Sequence, residues 1–369
     1  MAKFRRRCQI IKSNYRINNY MNNTEKRIVI LCHRAFNYIL NKTGNMLIRY
    51  RPEDVVAVID KSKAGKTAES ELGYGGDIPV LENFASCNGF NPDTLVIGNA
   101  SQGGFISDEY RNEVKNAIMS GCNIISGMHQ FLQDDPELAN LAKEYNVTLT
   151  DLRRPPNPPN FPKGSWQNRT IPVLLIVGTD CDSGKMTTGW EITQRLKERG
   201  RKVQFVGTGQ TGILLSGSGV PIDAVTADFM AGEIEYVIDQ CPDDTELVIV
   251  EGQGSLTNQY YAGVTLGLLH GSMPDFMILT HDTNRSLDTA NQPMKSLEKI
   301  MSQYVDLVTL FKPSRFVGIN LMTVNLDEQT ALDICKKIQA KHDLPTTDLV
   351  RFGERELIER IDFELRQWN

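Results

Sequence analysis

No two of the seven cysteines stand in C-x-x-C spacing; Cys8, Cys32, Cys87, Cys122, Cys181, Cys241 and Cys335 are odd in number and far apart. That pattern argues against a disulfide framework and against a zinc site, and a reducing cytoplasm is the expected compartment. Long apolar runs are missing too. The longest aliphatic stretches, such as Val173–Val177, have strand length, whereas a membrane span needs roughly 18 or more apolar residues. There is no basic excess: 40 Lys and Arg stand against 45 Asp and Glu, a net charge of −5, so a nucleic-acid partner is not expected. Acidic residues are absent from Met1–Thr24, where Lys3, Arg5, Arg6, Arg7, Lys12 and Arg16 fall. Residues 1–25 therefore read as a disordered basic tail, with a transit peptide as the alternative and Met21 as a candidate start. That stretch holds no apolar core of the secretory kind, and no repeat of solenoid period is visible.

What is present suits a globular chain of about two domains. Hydrophobic residues make up 40% and charged residues 23% of the 369 positions. The boundary is a proline cluster, with five of the 16 prolines between Pro155 and Pro162. Neither a helix nor a central strand runs through such a segment, so residues 155–168 read as a stiff linker. Before it, residues 26–154 alternate buried strands (Arg27–Leu31, Val55–Ile59, Leu95–Ile97, Asn123–Ile125) with helices (Asp108–Met119, Asp134–Tyr145). After it, residues 169–369 do the same more strongly. The strands are Val173–Val177, Val203–Val206, Leu247–Val250, Phe276–Leu279 and Phe316–Leu321. The helices are Met186–Arg199, Ile234–Asp239, Leu297–Tyr304 and Glu328–Lys341. Alternation of this kind predicts an α/β fold of two three-layer αβα domains with parallel sheets, the first Rossmann-like and the second like a P-loop NTPase. The first strand runs into Cys32-His33-Arg34 rather than a G-x-G-x-x-G turn, so NAD is not expected. Ala64-Gly65-Lys66-Thr67 ends like a phosphate loop but lacks the upstream glycine, where Asp60 stands, and reads as a charged loop.

The strongest signal is Gly178-Thr179-Asp180-Cys181-Asp182-Ser183-Gly184-Lys185-Met186-Thr187-Thr188, between an aliphatic strand and an amphipathic helix. Glycines let successive N–H groups converge on one anion, the helix N-terminus adds partial positive charge, and Lys185 adds a full one. Five residues separate Gly178 from Gly184, a loop that resembles that of dethiobiotin synthetase, which also begins Gly-Thr-Asp. Met186 replaces the hydroxyl that holds Mg²⁺ in ordinary P-loop NTPases. Phosphate binding is expected, and Mg–ATP hydrolysis would need Thr187 or Thr188 in an altered geometry.

Other polar runs follow the neighbouring strands, where the ligand crevice of an open α/β sheet lies. Glu251-Gly252-Gln253-Gly254 ends one strand, and Glu251 there can orient a metal-bound water, pair with Lys185 or act as a base. Gly209-Gln210-Thr211-Gly212 ends another, followed by Asp223 and Asp228. His281 and Arg285 follow a third, and His270 also lies in this half. Histidine carries protons near neutral pH, and arginine suits a carboxylate or phosphate. Gly127-Met128-His129, Arg153 and Arg154 can contribute from the first domain.

These motifs, together with Leu152-Arg153-Arg154-Pro155-Pro156, resemble one bacterial and archaeal family, and the resemblance spans about Lys26 to Phe363. That family pairs a Rossmann-like domain with a dethiobiotin-synthetase-like P-loop domain. Its characterised members are D-glutamate N-acetyltransferases that use acetyl-CoA. The resemblance implies a cytoplasmic small-molecule acyltransferase. In that reading Gly178–Thr188 holds the coenzyme phosphates; Arg285 or Arg154 holds the acceptor carboxylate, beside Gln210, Thr211, Asp223 and Gln253. Glu251, Asp228 or His281 takes the amine proton. The enzymes alike to it make a homo-oligomer the expectation. One alternative is a carboxylate-activating enzyme that uses ATP and Mg²⁺ through Asp180, Lys185, Thr187 and Glu251. Another is a nucleotide or CoA sensor without turnover.

Overall fold

The computed structural model describes residues 26–99 and 104–368. The expected basic tail lies outside them. Two six-stranded sheets account for the core, and every strand in both is parallel to its neighbours.

The first sheet contains β1 (Ile28–Leu31), β2 (Val55–Ile59), β3 (Val80–Leu81), β4 (Thr94–Ile97), β5 (Asn123–Ser126) and β6 (Leu149–Asp151), in the order β3-β2-β1-β4-β5-β6. β1 is buried along its length because helices cover both faces, which is why it reads as an unbroken apolar run. Of its helices, α3 (Asp108–Met119) starts where the Ser107 side chain accepts from the Tyr110 N–H, and it buries Tyr110, Val114, Ala117 and Ile118. α4 (Pro136–Glu144) is capped by Asp135, with proline at its first position. α1 (Lys42–Tyr50) and α2 (Ala68–Leu72) complete the domain. Gly65 and Lys66 belong to the charged loop ahead of α2, Lys66 pairing with Glu71 and Thr67 capping the helix.

The second sheet contains β7 (Val173–Gly178), β8 (Val203–Val206), β9 (Leu247–Val250), β10 (Phe276–Asp282), β11 (Arg315–Met322) and β12 (Thr346–Thr347), in the order β12-β11-β10-β7-β9-β8. Its helices are α5 (Lys185–Glu198), α6 (Gln210–Ser216), α7 (Ala227–Asp239), α8 (Ala262–Ser272), α9 (Leu297–Thr309), α10 (Glu328–His342), α11 (Leu349–Phe352) and α12 (Arg355–Arg366). α7 begins seven residues before the expected Ile234; its first five residues, 227–231, are exposed or half-buried, so the strongly buried apolar positions start only further on.

The linker is held down along α7. The Glu233 carboxylate accepts from the Asn160 N–H, and the Glu235 carboxylate accepts from the N–H groups of Lys163, Gly164 and Ser165. Both glutamates are buried, so each of these donors is satisfied where water is excluded.

The two domains meet through α1. One apolar cluster runs through both, with Leu47 and Ile48 of α1, Trp190 of α5 and Leu214 of α6. The Tyr50 hydroxyl donates to Glu191 at 2.6 Å, and its ring lies edge-on to Trp190. Arg153, just past β6, donates to the Gly127 carbonyl and pairs with Asp223 of the second domain. Residues just past the carboxyl ends of β5 and β6 thus meet the loops of the second domain, with Gly127 against Gln210 and Arg153 on Asp223.

Candidate functional site

The phosphate loop leaves β7 at the centre of the second sheet. Asp182 at φ 54° and Gly184 at φ 88° turn it through left-handed conformations. A side chain at Gly178 would put Cβ 2.4 Å from the Ser183 hydroxyl, so only glycine lets the loop close on itself. The Thr179 N–H donates to the Thr280 carbonyl, and the Ser183 hydroxyl donates to the Asp180 carbonyl at 3.0 Å.

Lys185 opens α5 and is buried inside this curl, its Nζ donating to the Asp180 carbonyl at 2.6 Å. Burial pulls its pKa down, opposed by Cys181, Asp182, Asp180 and Glu251. Burial likewise pushes the Cys181 thiol up. An anion at the helix start would find an ammonium, a helix N-terminus and loop amides together.

Asp180 shapes the loop from beneath. Its carboxylate accepts from Asn258 Nδ2 (2.7 Å), the Thr289 N–H (2.7 Å), the Thr289 hydroxyl (3.1 Å) and Arg285 (3.2 Å). Arg285 also donates to the Cys181 carbonyl at 2.7 Å and pairs with Asp282. Both side chains therefore brace the loop. Asn258 and Thr289 carry no sequence motif, and neither was visible before the fold.

Glu251 directly follows β9 and is buried beside this loop. Its Oε2 accepts from the Thr208 N–H at 2.9 Å and the Gly209 N–H at 3.2 Å. Burial pushes its pKa up to about 7, against the pull of those two N–H groups and of Lys185, with Asp223 adding to the rise. A carboxyl poised there can accept a proton near neutral pH.

Gln253 donates to the Thr208 hydroxyl at 3.2 Å. Gln210 and Thr211 start α6, and the Thr211 hydroxyl meets that of Thr43 at 2.8 Å. His281 Nδ1 lies 3.1 Å from the Thr179 hydroxyl, and burial lowers its pKa. Lys185, Glu251, Gln253, Gln210, Thr211 and His281 thus all stand at or past the carboxyl ends of β7, β8, β9 and β10.

Other candidates stand apart. Asp228 is exposed in the first turn of α7. Arg154 pairs with Asp134 at 2.6 Å and lies over the Phe131 ring, on the wall of a groove of about 500 Å³ between the linker and the start of α7. His270 sits in α8 against Phe311. Thr187 faces Met46 of α1 at 3.8 Å, and Thr188 accepts from Asn320 at 2.8 Å, so both hydroxyls have partners on the flanks of α5. Met186 packs on the apolar core. Among the described residues no cluster of three or more His, Cys, Asp or Glu has an arrangement that holds a metal ion, and no helix is long and apolar enough to cross a membrane.

Fold and loop together define a two-domain α/β protein in which a Rossmann-like domain packs against a P-loop domain. Residues 61–155 match the Rossmann-like N-terminal domain of the DUF1611 family, a domain of unknown function, and residues 160–358 match its P-loop domain. The chain belongs to that family. It is 39% identical over 293 residues to a D-glutamate N-acetyltransferase of Tritonibacter scottomollicae, covering 78% of this chain and 87% of that protein. A D-glutamate N-acetyltransferase of a Pseudoalteromonas species is 37% identical over 263 residues, covering 70% of this chain and 78% of that protein. The crystal structure of a DUF1611 family protein from Anabaena variabilis superposes with a TM-score of 0.86 at 33% identity, covering 92% of this chain and 99% of that one.

Proposed function

We propose that the chain is an N-acetyltransferase that moves an acetyl group from acetyl-CoA to the amine of D-glutamate or a closely similar amino acid. The observation that carries this reading is the buried Glu251, its pKa pushed up to about 7, between Lys185 of the phosphate loop and the Thr208 and Gly209 N–H groups ahead of α6. Support for the substrate comes from the two relatives named as D-glutamate N-acetyltransferases.

The loop amides and Lys185 hold phosphates of the coenzyme. Met186 in place of a metal-binding hydroxyl suits a loop that binds phosphate without hydrolysing it. Glu251 takes a proton from the acceptor's ammonium group. The freed amine attacks the thioester carbonyl, a C–N bond forms and the C–S bond breaks; the nitrogen gives up its second proton to the departing thiolate, and Glu251 returns the first to solvent. Gln210, Gln253 and Thr211 offer polar groups to the acceptor, and His281 stands beside the loop as a further proton carrier.

Incubation of pure protein with acetyl-CoA and D-glutamate is expected to release free thiol and N-acetylglutamate in equal amounts, with less product from L-glutamate. No thiol release, or phosphate release from ATP and Mg²⁺ with a carboxylate and an amine, would overturn the reading.

A further inference from the structure

A cation from the first domain stands at the rim of the second domain's phosphate loop. Lys42 is the first residue of α1, and its Nζ lies 2.5 Å from Asp182 Oδ1. Both side chains are about half exposed, at 55% and 52%. Arg285 reaches the Asp182 carbonyl and leaves that carboxylate to Lys42.

The backbone beneath Lys42 is fixed. The N–H groups of Thr43 and Gly44 donate to the Gly98 carbonyl at 3.1 and 3.2 Å. Thr43 meets Thr211, and Tyr50 at the other end of the helix meets Glu191. The lysine's flexible four-carbon stem can still swing. An exposed ion pair adds little to stability, so Asp182 is an easily exchanged partner. A pyrophosphate seated in the loop carries two negative charges against the single charge of the Asp182 carboxylate and would compete for the same ammonium. Lys185 occupies the floor of the loop and Lys42 its rim, an arrangement that matches two linked phosphate groups better than one.

We propose that Lys42 is a second phosphate-binding residue, which leaves Asp182 for the outer phosphate of a pyrophosphate-bearing cosubstrate. The acyl-transfer reading of the same loop makes that cosubstrate coenzyme A. The loop is then complete only with both domains in place, and Asp182 is the ligand's internal competitor.

The test measures dissociation constants of the full chain by calorimetry, for wild type, Lys42→Ala, Lys42→Arg and Asp182→Asn. The probes are coenzyme A and 4′-phosphopantetheine, which carries a single phosphate. Lys42→Ala is expected to weaken coenzyme A about ten- to hundredfold, the range for a lost charged hydrogen bond, and to leave phosphopantetheine within about twofold. Lys42→Arg restores most of the affinity. Asp182→Asn, tolerated at a left-handed position, keeps or tightens coenzyme A binding because the competing charge is gone. If Lys42 merely braced the loop, Asp182→Asn would weaken binding as Lys42→Ala does, and that result overturns the proposal. So does unchanged coenzyme A affinity in a folded Lys42→Ala chain. If the wild type binds ATP but not coenzyme A, the acyl-transfer reading fails by itself. ATP against AMP in the same four chains then decides for or against Lys42. Binding of neither nucleotide-like ligand overturns both.

Discussion

The Thr43 hydroxyl of α1 and the Thr211 hydroxyl of α6 lie 2.8 Å apart, both buried, where the two domains meet. Valine at either position leaves the other hydroxyl unpaired, at a cost of about 1–3 kcal/mol. Valine at both removes the pair together and costs less than the sum of the single changes. Denaturant unfolding of the four chains checks this, and strictly additive costs would deny the coupling.

Glu251, the base in the proposed reaction, ties stability to pH as well. Its folded pKa, about 7, is raised above the ordinary carboxylate value. Between those two values the native chain holds a proton that the unfolded chain has released, so stability is fullest at low pH and falls as pH rises through about 7. The whole window is worth up to about 3 kcal/mol. Glu251→Gln keeps an oxygen for the Thr208 and Gly209 N–H groups and is expected to raise Tm more at pH 8 than at pH 5. It is also expected to lower kcat about 10²–10⁴-fold and to remove the limb near pH 7 from the rate profile. An unchanged profile would assign the proton to another group.

Gly212 gives Glu251 its room. A Cβ at that position would lie 2.1 Å from Glu251 Oε2. Gly212→Ala is expected to cost about 1–3 kcal/mol through overpacking and to lower activity by displacing the carboxylate. In a Glu251→Ala background the stability cost should shrink, which paired melting curves would reveal.

Glu235 tests the linker. Burial alone would raise its pKa, but the N–H groups of Ser165, Gly164 and Lys163 outweigh that and hold it below the usual value. Its contribution is present above the unfolded pKa and fades as pH falls through the folded one. Glu235→Ala leaves three N–H groups without this acceptor and is expected to cost about 1–3 kcal/mol. Faster proteolysis within residues 155–165 is the readout.

The central strands were legible because a buried parallel strand is an unbroken apolar run, as in β1, β7 and β9. Short strands gave no such run: β3, β6 and β12 have two or three residues, and Thr346–Thr347 is entirely polar. α1 was hidden because it buries Thr43 and Asn45 against neighbours outside its own sequence stretch. α8 is apolar nearly all round and lacks a helical stripe. At the site, the loop and Glu251 could be read from their places after strands. Arg285 looked like a ligand for substrate, yet its bonds go to Asp180 and the loop carbonyls. Lys42 comes from a distant helix, and only the docking of two sheets brings it to Asp182.

All ten strand pairings are parallel, and even Val58 and Val80, the nearest partners along the chain, must meet across a helical crossover. Such a topology folds slowly, because loop closure precedes every ladder contact. The first sheet is complete at Asp151, before Val173 begins the second. During synthesis it can therefore close while its partner is still unmade, offering a finished surface on which the later half assembles.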